Sequence, residues 1–173
     1  ASLGFIPYTT AINYTLSVLP LFLLMGQFAF FSGLSRDAYY AAHRWLGHLP
    51  GGLAMATIGG CAAFAAVSGS SLATAATMGV TALPEMRKYN YDPKLATGSI
   101  AAGGTLGILI PPSVAMVIYA LLTEQSVGKL LMAGILPGIL LAFLFMLTIY
   151  VMAYRNPALG PRAPSTTFME KLL

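Results

Sequence analysis

Apolar residues in this chain run in long blocks separated by short charged clusters. The blocks cover residues 1–35, 49–84, 95–123 and 130–154. A helix crossing a bilayer takes about 20 residues at roughly 1.5 Å each, so the first block predicts a helix near Ala11–Leu34 and the last a helix near Leu130–Tyr154. The second block does not fit a single crossing. From Pro50 to Pro84 it holds no Asp, Glu, Lys or Arg, and as one helix it would run to about 50 Å against a hydrocarbon core of about 30 Å. It is also interrupted at its centre by Ser68-Gly69-Ser70-Ser71.

The basic residues choose between the ways of folding it. If the block crosses once, Arg36, Arg44 and Lys129 share one side and Arg87, Lys88, Lys94, Arg155, Arg162 and Lys171 the other, a bias of six to three. If it turns back at Gly69, all of these except Lys129 share one side, a bias of eight to one that assigns that side to the cytoplasm. Each arm is then about 15–18 residues, short for a full crossing, which predicts a re-entrant helical hairpin with its tip inside the membrane.

The third block reads as a helix that stops and restarts. Asp92-Pro93 is a helix start, with Asp as cap and Pro in the first turn. Gly103-Gly104-Thr105-Leu106-Gly107 weakens the helix before Pro111 and Pro112 remove two amide donors, and a second half-helix runs from about Ser113 to Leu122. Irregular backbone at membrane depth costs several kcal/mol per unpaired group unless protein or a wet cavity supplies partners, so two such interruptions in one chain are natural ion and substrate sites.

Between the first two blocks, Ser35 to Leu46 mixes charges with aromatics at helical spacing, as a helix lying in the interface plane does. Trp45 and the tyrosines Tyr39, Tyr40, Tyr89, Tyr91, Tyr150 and Tyr154 fall at segment ends, where aromatic belts anchor a membrane protein.

Composition agrees with the pattern. With 57% hydrophobic and 8% charged residues and a mean hydropathy of +0.77, the chain reads as an all-α multi-pass membrane protein. Its net charge of +4 lies in the short clusters, where orientation rather than nucleic-acid binding accounts for it. Cys61 is a small apolar residue in an apolar block, and no disulfide framework exists. His43 and His48 flank Trp45 at the interface and have no partners spaced for a metal site. With no His or carboxylate at membrane depth, an intramembrane enzyme lacks its base or metal ligands. Thr77, Thr81 and Ser99 are expected to bond back onto their own helix carbonyls. Glu124 and Lys129 lie in a short turn suited to solvation or to docking a partner. The chain opens at Ala1 in an apolar block without a basic leader, and is expected to begin mid-protein.

Four ordered motifs carry a resemblance. Pro20-Leu21-Phe22-Leu23-Leu24-Met25-Gly26, Ser68-Gly69-Ser70-Ser71-Leu72-Ala73-Thr74-Ala75, Gly103 to Ser113, and Ala133-Gly134-Ile135-Leu136-Pro137-Gly138 together resemble the large membrane subunit (M subunit) of tripartite ATP-independent periplasmic (TRAP) transporters. The resemblance spans nearly the whole chain but only the first of that family's two inverted-topology halves. It implies a sodium-driven elevator in the bacterial inner membrane that imports a small organic acid, such as a C4-dicarboxylate or sialic acid. A periplasmic substrate-binding protein (P subunit) hands over the substrate, and a small membrane subunit (Q subunit) enlarges the scaffold. The remaining half of the large subunit and membrane lipid complete the partners, and Na⁺ is the coupling ion with no other cofactor. A non-transporting assembly or receptor subunit is the alternative, and sodium-dependent uptake by the complete complex excludes it.

The implied division is a scaffold-type transmembrane helix in 1–35, an interfacial arm helix in 36–49, the re-entrant hairpin in 50–88, the discontinuous helix in 93–122, a transmembrane helix in 126–154 and a linker in 155–173. Residues 36–49, 85–94 and 155–173 are expected in the cytoplasm and 123–129 in the periplasm. Without a carboxylate at the hairpin tip, a cation needs neutral oxygens, which hard ions such as Na⁺ accept. The expected cation ligands are Ser68, Gly69, Ser70, Ser71, Gly104, Thr105, Gly107 and Ile110. A substrate carboxylate is expected at Ser70, Ser71, Thr74, Thr105, Pro112 and Ser113, held by hydroxyls and half-helix amide ends. Any Arg or Lys for that carboxylate is expected from the second half.

Overall fold

The computed structural model describes residues 14–161. Among these the chain is helical without strands: α1 (Tyr14–Phe31), α2 (Leu34–Leu46), α3 (Gly52–Ser68), α4 (Ser71–Lys88), α5 (Pro93–Leu109), α6 (Val114–Leu122) and α7 (Val127–Arg155). The start expected for the first helix at Ala11 and the last part of the linker, 162–173, lie outside the described residues.

The boundary between α1 and α2 falls earlier than the hydrophobic pattern predicts. Gly33 adopts φ 81 and ψ 3, a left-handed conformation that cannot continue a helix, so α1 ends before it and Leu34 opens α2. Ser32 donates its hydroxyl to the Ala29 carbonyl at 3.0 Å and closes the end of α1. α2 is amphipathic, with Ser35 and Tyr39 buried while Arg36, Asp37, Arg44 and Trp45 are exposed.

α3 is the central element, packed against α1, α2, α4, α5 and α7. Small residues let its neighbours approach, as expected where lipid removes the hydrophobic incentive and close packing must hold helices together. A Cβ on Gly60 would lie 3.3 Å from the Met78 sulfur of α4 and 3.4 Å from the Tyr39 Cα of α2. A Cβ on Gly103 of α5 would lie 2.6 Å from the Cys61 sulfur. Leu53, Ile58 and Phe64 fill the remaining space and are essentially fully buried.

Three connections meet at one end of the bundle. The Gly51 amide donates to the Gly160 carbonyl at 3.0 Å, the Asp92 amide to the Leu159 carbonyl at 3.1 Å, and the Leu53 amide to the Tyr91 hydroxyl at 3.2 Å. The segment after α7 therefore folds back over the starts of α3 and α5. Arg87, Lys88, Lys94 and Arg155 gather at this end because α4 returns antiparallel to α3 across the two residues Gly69 and Ser70.

At the same end the His43 ring stacks on Tyr39, with centroids 6.2 Å apart, and tilts against Tyr89 at 6.3 Å. Burial lowers the His43 pKa from its ordinary 6.5, with the Glu85 carboxylate opposing the shift. Because its folded value is depressed, the neutral imidazole contributes stability that is present above 6.5 and lost as pH falls through the folded value. Thermal unfolding in detergent is expected to begin at lower temperature near about pH 5.5 than near about pH 7.5, and His43→Phe is expected to shrink that difference. An equal fall in the variant contradicts the assignment.

Candidate functional site

The hairpin tip is built by three adjacent residues. Ser68 ends α3, Gly69 turns the chain with φ 59 and ψ 13 while its amide donates to the Ala65 carbonyl at 3.0 Å, and Ser70 is extended and caps α4. The Ser70 hydroxyl accepts from the Ala73 amide at 3.3 Å, the ordinary Ser N-cap. Thr74 donates its one hydroxyl proton to the Ser70 carbonyl at 2.8 Å, so in the 3.1 Å contact between Ser68 Oγ and Thr74 Oγ1 the donor is Ser68. The lone pairs of Ser68 Oγ are left without a donor from this pair, although the residue is only 5% exposed.

The break in the second element is a matter of missing donors. The Ile110 amide makes the last bond of α5, to the Leu106 carbonyl at 2.8 Å. Pro111 and Pro112 have no N–H to offer the carbonyls of Gly107 and Ile108, the acceptors four residues back. Their mutual peptide bond is cis. The helix restarts when Ser113, fully buried, caps α6 by accepting from the Met116 amide at 3.4 Å.

Tip and break dock on each other. The Gly69 carbonyl accepts from the Val114 amide at 3.4 Å, and a Cβ on Gly69 would stand 2.5 Å from the Pro112 oxygen. A Cβ on Gly107 would stand 2.8 Å from the Ser70 carbonyl and the Ser71 nitrogen, and one on Gly104 2.8 Å from the Ala75 Cβ. The two glycines thus let α5 lie directly against the start of α4. The N-termini of α4 and α6, each carrying roughly half a positive charge, come together beside the carbonyl ends of α3 and α5. The oxygens named at this junction belong to serine and threonine hydroxyls and to the backbone, and are neutral.

Ser68, Gly69, Ser70, Ser71, Thr74, Gly104, Gly107, Pro112 and Ser113 are all brought to the junction. Ile110 lies at the break, with its side chain against Gly138 of α7, where a Cβ would be 2.9 Å away. Thr105 is not brought there. It is exposed, on the helix face that also exposes Ala101 and Ile108, and its hydroxyl donates to the Ala102 carbonyl three residues back at 2.6 Å.

Other neighbours of the junction lie in or beside motifs to which the sequence assigned no site role. α7 supports the break through Gly134 and Gly138, a Cβ on Gly134 meeting the Leu109 oxygen at 2.7 Å. α1 touches the tip at Gly26, where a Cβ would lie 3.3 Å from the Ser68 oxygen. Between α1 and the hairpin is a cavity of about 200 Å³ lined by Gly26, Gln27, Phe64, Ser68, Ser70 and Thr77, among others. Thr77 corrects an expectation. Ser99 does bond back to its own helix, to the Ala96 carbonyl at 2.9 Å, but the buried Thr77 hydroxyl has no partner. Among the described residues, the one polar side chain that α1 contributes to this cavity is Gln27, an amide among apolar neighbours in the sequence.

The family described as "Tripartite ATP-independent periplasmic transporter, DctM component" matches residues 7–172. The chain is similar to the C4-dicarboxylate TRAP transporter large permease protein DctM of Pseudomonas aeruginosa, at 46% identity over 84% of this chain and 34% of that protein. It is also similar to the isethionate TRAP transporter permease protein DctMQ of Oleidesulfovibrio alaskensis, at 40% identity over 82% of this chain and 22% of that protein. Against the sialic acid TRAP transporter permease protein SiaT of Haemophilus influenzae the identity is 34% over 90% of this chain and 25% of that protein. All three are named as permeases and none as an enzyme. The chain spans between about a fifth and a third of the length of these relatives.

Proposed function

Because the chain belongs to the DctM family of TRAP transporters, we propose that it supplies one half of the transport site of a sodium-coupled permease for a small organic acid. The carboxylate classes named for its relatives, C4-dicarboxylates and sialic acid, fit the two helix N-termini at the junction. Neutral oxygens beside them suit Na⁺: the Ser68 hydroxyl and the carbonyls that Pro111 and Pro112 leave without donors. The carboxylate is held by the hydroxyls and amides of Ser70, Ser71, Thr74 and Ser113, with Pro112 shaping the wall. Thr105, exposed and bonded to its own helix, serves the site only through another part of the protein.

The observation that carries this reading is the docking of Gly69-Ser70 on Pro111 to Val114. α3 places that contact 17 residues, or roughly 25 Å, from the end where the basic connections gather. If that end lies at the cytoplasmic surface of the inner membrane, the tip lies within the bilayer and α3–α4 is a re-entrant hairpin. α1 is then a scaffold helix, α2 an interfacial arm, α5–α6 a discontinuous transmembrane helix, and 123–126 a periplasmic turn before α7. Two segments, Pro93–Leu122 and Val127–Arg155, are long and apolar enough to cross. The hairpin and broken helix move as one body in an elevator cycle. The rest of the large subunit, the small membrane subunit and a periplasmic binding protein complete the machine. Two Na⁺ carried with a monovalent acid move one net charge, and a potential of about 100 mV then contributes roughly 2.3 kcal/mol to accumulation.

Ser68→Ala in the full-length transporter is expected to raise the sodium concentration for half-maximal uptake by roughly tenfold, the worth of one or two hydrogen bonds to a charged group, and Ser70→Ala to raise it through weaker binding of the carboxylate carried with the ion, both with folding retained. Sodium titrations unchanged in both variants would contradict the ion site.

A further inference from the structure

A groove of about 310 Å³ runs between α5 and α7, away from the tip and the break. We propose that it holds an acyl chain of an anionic phospholipid whose headgroup rests on Lys94. The inference builds on the membrane reading above.

Leu95, Gly98, Ala102, Phe145 and Met152 line the groove, with Lys94 at its mouth. From Lys94 to Ala102 is eight residues of helix, or roughly 12 Å of depth. The two hydroxyls along the wall are already committed: Ser99 donates to Ala96 at 2.9 Å and Thr148 to Leu144 at 2.8 Å, both to carbonyls of their own helices. The interior therefore presents hydrocarbon and asks for no polar partner. Gly98 makes the room. A Cβ there would meet nothing within 4 Å, so no neighbour requires this glycine, although it weakens the helix relative to alanine. Its consequence is an open floor.

The mouth is charged and held in place. Lys94 is exposed one position inside the start of α5, its amide fixed by Asp92 Oδ1 at 2.7 Å, and the Asp92 amide in turn holds Leu159, which also lines the groove. Arg155 ends α7 at the same end of the bundle. A lysine above an apolar slot fits a phosphate above an acyl chain, in the leaflet whose anionic lipids attract basic residues.

The test uses the full-length protein in phosphatidylcholine vesicles containing phosphatidylglycerol, with a diazirine on the acyl chain of one lipid or the other. The phosphatidylglycerol probe is expected to crosslink within 95–102 and 145–152. Lys94→Gln is expected to lower that yield roughly fivefold, the worth of one lysine at an anionic surface, without lowering the phosphatidylcholine yield. Gly98→Leu is expected to abolish both yields there while the thermal midpoint holds; should that variant fail to fold, the exposed Lys94→Gln decides. Equal yields from the two probes, an unchanged yield in Lys94→Gln, or no crosslinks in the groove because another segment of the protein covers it would each overturn the proposal. Crosslinks at Leu136 and Ile139, both exposed on α7, report bilayer contact separately, so an empty groove is not confused with failure of the membrane reading.

Discussion

Gly69→Ala is expected to abolish uptake by the complete transporter and to destabilise the protein by about 2–5 kcal/mol. Two physical costs add. A left-handed backbone costs an L-residue about 1–2 kcal/mol, and φ at Gly69 is 59. The new methyl would also stand 2.5 Å from the Pro112 oxygen, where overpacking adds about 1–3 kcal/mol. Gly107→Ala tests the same contact without the first cost. Its φ is helical, so alanine there gains helix propensity, yet its methyl would stand 2.8 Å from the Ser70 carbonyl and the Ser71 nitrogen. Neither backbone can rotate away, so α5 or the tip must shift. In catalytic sites a displacement of about 1 Å costs roughly 100-fold in rate, and a loss of that order is expected for uptake here. Gly98→Ala is the control, since nothing lies within 4 Å of its new methyl. Purified stability and sodium-dependent uptake measured on all three check the account, and Gly69→Ala with unchanged uptake would remove the tip–break contact from the mechanism.

Replacing Pro111 and Pro112 together by alanine is expected to separate stability from function. The substitution supplies two amides, one for the Gly107 carbonyl and one for the Ile108 carbonyl, and removes the two residues that would each cost a continuous helix about 3 kcal/mol. α5 then has the means to run on into α6. The same change withdraws carbonyls proposed as ion ligands and carries the α6 N-terminus off the tip. Uptake is expected to fall by roughly 100-fold or more while the thermal midpoint stays level or rises. A variant that loses stability and keeps uptake contradicts this role for the break.

Local backbone chemistry is what the sequence expresses most directly. Asp92-Pro93 reads as a helix start because Asp caps and Pro fits the first turn, and α5 begins at Pro93. The Pro111-Pro112 pair reads as a break because two consecutive residues lack amides, and α5 ends at Leu109. Gly69-Ser70 combines a residue free to adopt positive φ with one that caps a helix, and the chain reverses there. Features fixed by tertiary contact are less visible. Thr105 sits two residues from Gly107, and at 100° per residue that separation turns it to the far face. A motif read as a string does not carry that phase. Gly33 gave no sign that it would divide α1 from α2 ahead of the first charge. The roles of Gly134 and Gly138 depend on α7 returning alongside the break, and that of Gln27 on α1 crossing the tip, which no local pattern encodes.

The claim on which the rest depends is that the chain enters and leaves the bilayer on the same side around Gly69. Arg44→Cys and Arg87→Cys, each placed singly in a full-length protein from which Cys61 and every other cysteine have been removed, are to be labelled in intact cells and in inverted vesicles with a membrane-impermeant maleimide. Both positions are predicted to react only in inverted vesicles. Reaction of one from the outside and the other from the inside would mean that α3 and α4 cross the membrane, and would contradict the hairpin together with the ion site at its tip.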